Sequence, residues 1–85
     1  MKNGKIVVTI HPFVFGQEIT AYVGDECVQV IECTIENIPQ SVYQLCEKYN
    51  IDEVHFWGGQ FYSKKFKDEF IANKYGNKKI NVYIH

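Results

Sequence analysis

The sequence predicts a single α/β domain: one mixed five-stranded sheet, built in the order β-β-β-α-β-α-β, with both helices on one face. Three observations lead there. Five short stretches alternate apolar and polar residues, the two-residue period of a strand. Two longer stretches place apolar residues at helical spacing. Turn-forming residues (Gly24-Asp25, Asn37 with Pro39, Asn50, Gly58-Gly59 and Gly76) fall between these stretches. The 85 residues leave room for one domain, residues 1–85, with a small core.

Lys5–His11 alternates Ile6, Val8 and Ile10 against Val7, Thr9 and His11, and Pro12 ends the run. A connection follows with Phe13 and Phe15 near its tip. Glu18–Val23 sets Ile19, Ala21 and Val23 against Thr20 and Tyr22. Gly24-Asp25 supplies the positive φ of a two-residue hairpin. In Glu26–Ile35 the pattern slips: Val28 and Val30 share one parity, Ile31, Cys33 and Ile35 the other. A bulge near Val30 would turn all five inward, so the facing of this strand stays open.

Asn37 is a helix-capping residue and Pro39 suits a first turn, where a missing N–H costs little. Ile38, Val42, Leu45, Cys46 and Tyr49 continue at helical spacing to a stop at Asn50. The stretch Ile51–Tyr75 organises the rest, with a strand at Glu53–Trp57, the glycine pair, then a helix over Phe61–Tyr75. Tyr62, Phe66 and Phe70 form that helix's apolar stripe with Ile71 and Tyr75 beside it, and Gly76 fits the left-handed position that ends a helix. Lys79–His85 alternates Ile80, Val82 and Ile84 against Asn81, Tyr83 and His85.

Composition excludes several classes. Hydrophobic residues make up 46% and aromatics 15%, too much for a disordered chain. No apolar run approaches the ~20 residues that span a bilayer. The opening MKNGKIVVTIHPF alternates like a strand and lacks a small-residue cleavage site, so a cytoplasmic protein is expected. Cys27, Cys33 and Cys46 lack CxxC spacing and read as reduced, buried thiols. No cofactor is expected.

Charge is divided. Residues 1–59 hold three lysines against eight carboxylates, a balance of −5, and residues 60–85 hold six lysines against two, a balance of +4. Every basic residue is lysine. Bidentate reading of guanine and clamping of phosphate normally use arginine, which disfavours sequence-specific nucleic-acid binding. Lys64, Lys65 and Lys67, with Lys74, Lys78 and Lys79, remain the candidate nucleic-acid contact, weighed against an ordinary solvated helix face. A basic helix beside an acidic sheet also suits protein–protein association. The lysine-only set with plentiful Ile, Asn and Tyr matches an AT-rich coding sequence, as in a low-GC bacterium or its phage.

A meander followed by two right-handed crossovers gives the sheet order 3-2-1-4-5 with only the second strand antiparallel. Together with the strand–GG–helix step Asp52–Gln60, DEVHFWGGQ, this resembles the ribonuclease H-like fold of nucleases, resolvases and the half-domains of actin-like ATPases and sugar kinases. The resemblance implies Gly58 and Gly59 as candidate nucleotide-binding residues at a helix N-terminus. The departures are chemical. A nuclease of this fold would carry an aspartate on its first strand, and KIVVTIH has none. Asp52 and Glu53 begin the fourth strand, at the wrong end to join such a site. An actin-like ATPase needs a phosphate loop between strands one and two, where HPFVFGQE has a single glycine. The expectation is the fold without the chemistry, with no catalytic residue and no enzymatic activity.

Both crossovers have the same hand, so both helices cover the same face. The other face is expected to be bare and to carry Val7, Thr9, His11, Thr20, Tyr22, His55, Trp57, Asn81, Tyr83 and His85. Of these, Val7, Thr9, Tyr22, His55, Trp57 and Tyr83 are the candidate interface, because Trp and Tyr are typical anchors and an apolar patch of this kind marks partner surfaces. A homodimer is the simplest version; a different protein partner is the other, and a solvated monomer face is the plain alternative. His11, His55 and His85 are the only candidate metal ligands, weighed against three solvated histidines. The expected function is thus a small non-enzymatic interaction protein, a bacterial or phage accessory, with a degenerate nucleotide- or nucleic-acid-binding module as the alternative.

Overall fold

The computed structural model describes residues 3–85. Its elements are β1 (Gly4–Thr9), β2 (Gln17–Val23), β3 (Glu26–Cys33), a 3₁₀ turn (Ile35–Asn37), α1 (Ile38–Tyr49), β4 (Glu53–Trp57), α2 (Gln60–Ile71) and β5 (Asn81–Ile84). The sheet order is β3-β2-β1-β4-β5. β2 runs antiparallel to β1 and β3, while β4 is parallel to β1 and β5 is parallel to β4. Order and directions agree with the sequence expectation. Gly24, at φ 62, makes the β2–β3 turn.

One sheet face builds the core. Ile6, Val8, Ile19, Ala21, Val54 and Phe56 are buried there against Ile38, Val42, Leu45 and Cys46 of α1 and Phe66 and Phe70 of α2. The Phe56 and Phe66 rings lie 6.0 Å apart in a tilted pair. Alternation along β4 then sends Trp57 and His55 to the opposite face. The tyrosine-and-phenylalanine stripe of α2 packs as expected, except that Ile71 is 68% exposed.

Several boundaries move, each for a local reason. β1 stops at Thr9 because the His11 N–H, the next donor on the β2 side, is taken by a side chain, while the Ile10 N–H stays with β4. The Ile10 N–H donates to Trp57 O at 2.8 Å, and the His11 N–H donates to the Gln17 side chain at 2.7 Å. β3 ends at Cys33, and its bulge sits at Val28 rather than near Val30. Ala21 pairs with Gln29 but Tyr22 with Cys27, which leaves Val28 as the extra residue. Val28, Ile31, Cys33 and Ile35 therefore pack on the core, and Val30 faces outward.

Asn37 precedes α1 but its side chain caps nothing. The 3₁₀ turn leaves it with helical backbone angles, φ −94 and ψ −1, and its Nδ2 donates to Thr34 Oγ1 at 3.1 Å. A side-chain cap needs extended backbone at that position. Asn50, left-handed at φ 55, ends the helix as expected. α2 begins at Gln60 and stops at Ile71, four residues short of Tyr75. Asn73 takes the left-handed backbone, φ 56, that the sequence assigned to Gly76. Gly76 serves a different need: a Cβ there would collide with the Tyr43 ring, whose hydroxyl accepts the Lys78 N–H at 3.0 Å. β5 is shorter than Lys79–His85 but keeps its expected facing, with Val82 and Ile84 less exposed than Asn81 and Tyr83.

Candidate functional site: the open sheet face

Strand register lines up the residues of the face away from the helices into rows. The middle row crosses the whole sheet: Val30 pairs with Thr20, Thr20 with Val7, Val7 with His55, and His55 with Tyr83. A second row runs Glu32, Glu18, Thr9 and Trp57. A third sets Cys27 beside Tyr22 and Tyr22 beside Lys5, whose Nζ lies 5.8 Å over the Tyr22 ring. Trp57 is 47% and Tyr83 48% exposed. Pairing thus places Val7, Thr9, Tyr22, His55, Trp57 and Tyr83 on one surface, with Thr20 and Asn81.

The β4–β5 end of that surface is a ladder of rings. His55 stacks on Tyr83 and on His85, each at 5.0 Å between centroids, and His85 stacks on Trp57 at 4.0 Å. Hydrogen bonds fix the imidazoles. Glu53 Oε2 lies 2.6 Å from His55 Nε2, and His55 Nδ1 lies 2.8 Å from His85 Nε2. An ionised carboxylate only accepts, so His55 donates to Glu53 through Nε2–H, while its Nδ1 is hydrogen-bonded to His85 Nε2. This arrangement orients both imidazoles and engages both nitrogens of His55. That is why the cluster does not present converging lone pairs to a metal. His11 stays apart, exposed in the β1–β2 loop. Among the described residues no group of three or more His, Cys, Asp or Glu side chains is placed to hold a metal ion.

The other sequence candidates separate. Gly58 and Gly59 have φ 77 and 51, and a Cβ on either would run into Ile10: its carbonyl oxygen at 2.9 Å for Gly58, its side chain at 2.5 Å for Gly59. Packing of β1's end against the β4–α2 turn therefore explains both glycines. Ser63, buried in the first turns of α2, donates from its hydroxyl to Gly58 O at 2.8 Å and locks that turn. Lys64 and Lys65 are exposed on α2, while Lys67 is half-buried and lies apart from them beside β5. Asp52 and Glu53 stand where β4 begins, level with the start of β1.

Two features escaped the sequence reading. Cys27 is exposed on the open face rather than buried, because the bulge at Val28 reverses its parity. Cys33 is half-buried and Cys46 buried; burial pushes the Cys46 thiol up to about 12 and also raises Cys33. The second feature is the brace of the β1–β2 loop, at whose expected tip Phe13 is 100% and Phe15 95% exposed. Fully buried Gln17 braces that loop, accepting from the His11 N–H and donating Nε2 to His11 O and Val14 O at 2.8 and 2.6 Å. A glutamine five residues after a Pro-ended strand gave no signal of this in the sequence.

No helix among the described residues is long and apolar enough to cross a membrane. The chain matches no protein-family model, no curated protein and no solved structure.

Proposed function

We propose that this protein is a non-enzymatic interaction module that self-associates through its open sheet face, two copies stacking sheet on sheet about a twofold axis. The observation that carries the reading is the uninterrupted row Val30–Thr20–Val7–His55–Tyr83, flanked by half-exposed Trp57, with both helices on the other side. Parallel-type sheets are normally covered on both faces. β1, β4 and β5 form such a parallel set, and the described residues cover it on one. Complete burial of a large side chain contributes about 1.5–3 kcal/mol, and docking adds roughly half of that for each of Trp57 and Tyr83, which are already about half-buried. Ring stacking and the Glu53–His55–His85 hydrogen bonds hold these side chains in place beforehand, so little rotamer entropy is lost on docking.

The strand order supports a ribonuclease H-like architecture used as a scaffold, with β1 carrying no carboxylate. A cytoplasmic accessory protein of a bacterium or phage fits that use. Light scattering of wild type against Trp57→Asp tests the proposal. A dimer mass for wild type and a monomer mass for the variant are expected; a monomer mass for both rejects self-association.

A further inference from the structure

The sheet has two edges, and they are defended unequally. β3, at one end, carries the bulge at Val28 and the charged side chains Glu26 and Glu32. Bulges and charges are the usual protection of an edge against pairing. β5, at the other end, reads Asn81-Val82-Tyr83-Ile84, with no charge, no proline and an unbroken register to β4. The Asn81 N–H donates to Asp52 O at 2.7 Å and the His85 N–H to Phe56 O at 2.9 Å. Alternate residues of β5 thus face β4, and the peptide groups of Val82 and Ile84 point outward.

Beside that edge lies a groove of about 610 Å³, lined by apolar Phe70, Ile71, Ile80 and Val82 and rimmed by Lys67 and Lys79, with no carboxylate in its lining. The exposure of Ile71, at odds with its place in the helical pattern, is explained by this groove. Here backbone donors and acceptors, apolar surface and positive charge occur together. The first two are the elements of strand addition, in which main-chain bonds give affinity and side-chain pockets give selectivity, and the third sets the charge of the strand that fits.

We propose that the β5 edge and its lysine-rimmed groove take an extended acidic peptide strand from a partner protein, added to the sheet as a sixth strand. A second copy fits this edge poorly. Two β5 edges paired about a twofold axis would set Lys67 and Lys79 against the same lysines, and like charges opposed across an interface cost affinity. The β3 edge has the complementary sign but its bulge breaks the regular pairing it would have to offer. Charge and edge geometry therefore select a foreign, acidic strand. The groove shares Asn81 and Tyr83 with the open face but not Trp57, so substitution of Trp57 tests the two surfaces separately.

The test uses backbone amide exchange by NMR on the full chain, with three blocked decapeptides. One alternates valine and glutamate, one alternates valine and lysine, and one is the glutamate peptide with a central proline. The glutamate peptide is expected to slow exchange at the Val82 and Ile84 amides about tenfold or more, and the other two to leave it unchanged. Lys67→Glu with Lys79→Glu is expected to abolish the response to the glutamate peptide. Trp57→Asp is expected to retain it. Unchanged exchange at Val82 and Ile84, or equal slowing by the glutamate and lysine peptides, overturns the proposal. So does protection of these two amides that rises with the protein's own concentration in the absence of peptide, which would assign the edge to a second copy.

Discussion

The Trp57 indole and the His85 imidazole lie face to face, 4.0 Å between centroids and 10° from parallel. His85 is in turn bonded to His55, and His55 to Glu53. The side chain expected to anchor an interface is thus held by a chain of contacts that ends on a carboxylate. Trp57 is the chain's one tryptophan, so its emission reports this site alone. His85→Ala removes the stacked ring and one side of the indole's cover. Emission is expected to shift to longer wavelength in the monomer, and the mass-concentration curve to move toward weaker association. An unchanged spectrum would mean that the stack does not form in solution.

Phe56 and Trp57 are adjacent and opposite in consequence. Phe56 is fully buried among core residues, and its truncation to alanine is expected to cost about 3–5 kcal/mol. Trp57→Asp, on the open face, is expected to change monomer stability by under about 1 kcal/mol. Urea denaturation at low protein concentration checks both. A large loss for Trp57→Asp would make the open face part of the fold rather than a docking surface.

Gln17 holds three backbone groups of the β1–β2 loop. Gln17→Leu keeps the volume but strips the His11 N–H and Val14 O of this partner, while His11 O keeps the Val14 N–H; the cost is about 1–3 kcal/mol for a group that finds no water. Cleavage by chymotrypsin at Phe13 and Phe15 is expected to accelerate in step, because the tip is already exposed and only its rigidity protects it. Equal cleavage rates would show that the brace does not order the loop.

The sheet was legible because alternation is a strong signal. Ile6/Val8, Ile19/Ala21 and Val54/Phe56 announce both the strands and their inner face, and short crossovers leave few ways to connect them. From that parity the open face followed, residue by residue, through Trp57 and Tyr83. What the sequence hid was set by single side chains acting across the chain. The bulge sits at Val28 because of register with β2, so Cys27 and Val30 turned out where sequence parity left β3 undecided. Asn73, not Gly76, ends α2: asparagine also tolerates the left-handed region, although local preference favours glycine. The Glu53–His55–His85 contacts join β4 to β5, and no spacing rule predicts a ring ladder between strands 30 residues apart in sequence.

The three thiols occupy three environments, and their modification rates are expected to separate. Cys27 is exposed, Cys33 half-buried with burial raising its pKa, and Cys46 buried with its pKa pushed up to about 12. Since the thiolate is the reactive form, a disulfide reagent at pH 8 should label Cys27 first, Cys33 more slowly, and Cys46 only as fast as the protein unfolds. Labelling of Cys46 at the rate of Cys27 would contradict its burial on the core side of α1. If self-association covers the open face, Cys27 labelling should also slow as protein concentration rises, while that of Cys33 holds constant.

Glu69 joins α2 to the segment after it, accepting from Lys74 Nζ at 3.0 Å and from the Tyr75 hydroxyl at 2.8 Å. Burial pushes the Glu69 carboxyl up, but the hydrogen bonds from Lys74 and Tyr75 and the charges of Lys74 and Lys65 outweigh it, and its pKa lies below the ordinary value. A lowered carboxylate contributes stability above its unfolded pKa, lost as pH falls through the folded one. Tyr75 is shifted the other way: burial, then the bond to Glu69 and its charge, raise it to about 12. Its contribution is complete below the unfolded value of about 10 and is lost as pH rises toward the folded one. Because one hydrogen bond links the two groups, Glu69→Gln is expected to act at both ends of the pH range. It should flatten the acid limb of the urea-midpoint curve, weaken the alkaline limb, and cost about 1 kcal/mol at neutral pH. Tyr75→Phe should remove the Tyr75 share of the alkaline limb, leaving the part that Cys46 and Cys33 supply as they ionise. An alkaline limb unaffected by either substitution would assign it to the raised thiols of Cys46 and Cys33 and sever the proposed link between α2 and the chain that leads into β5.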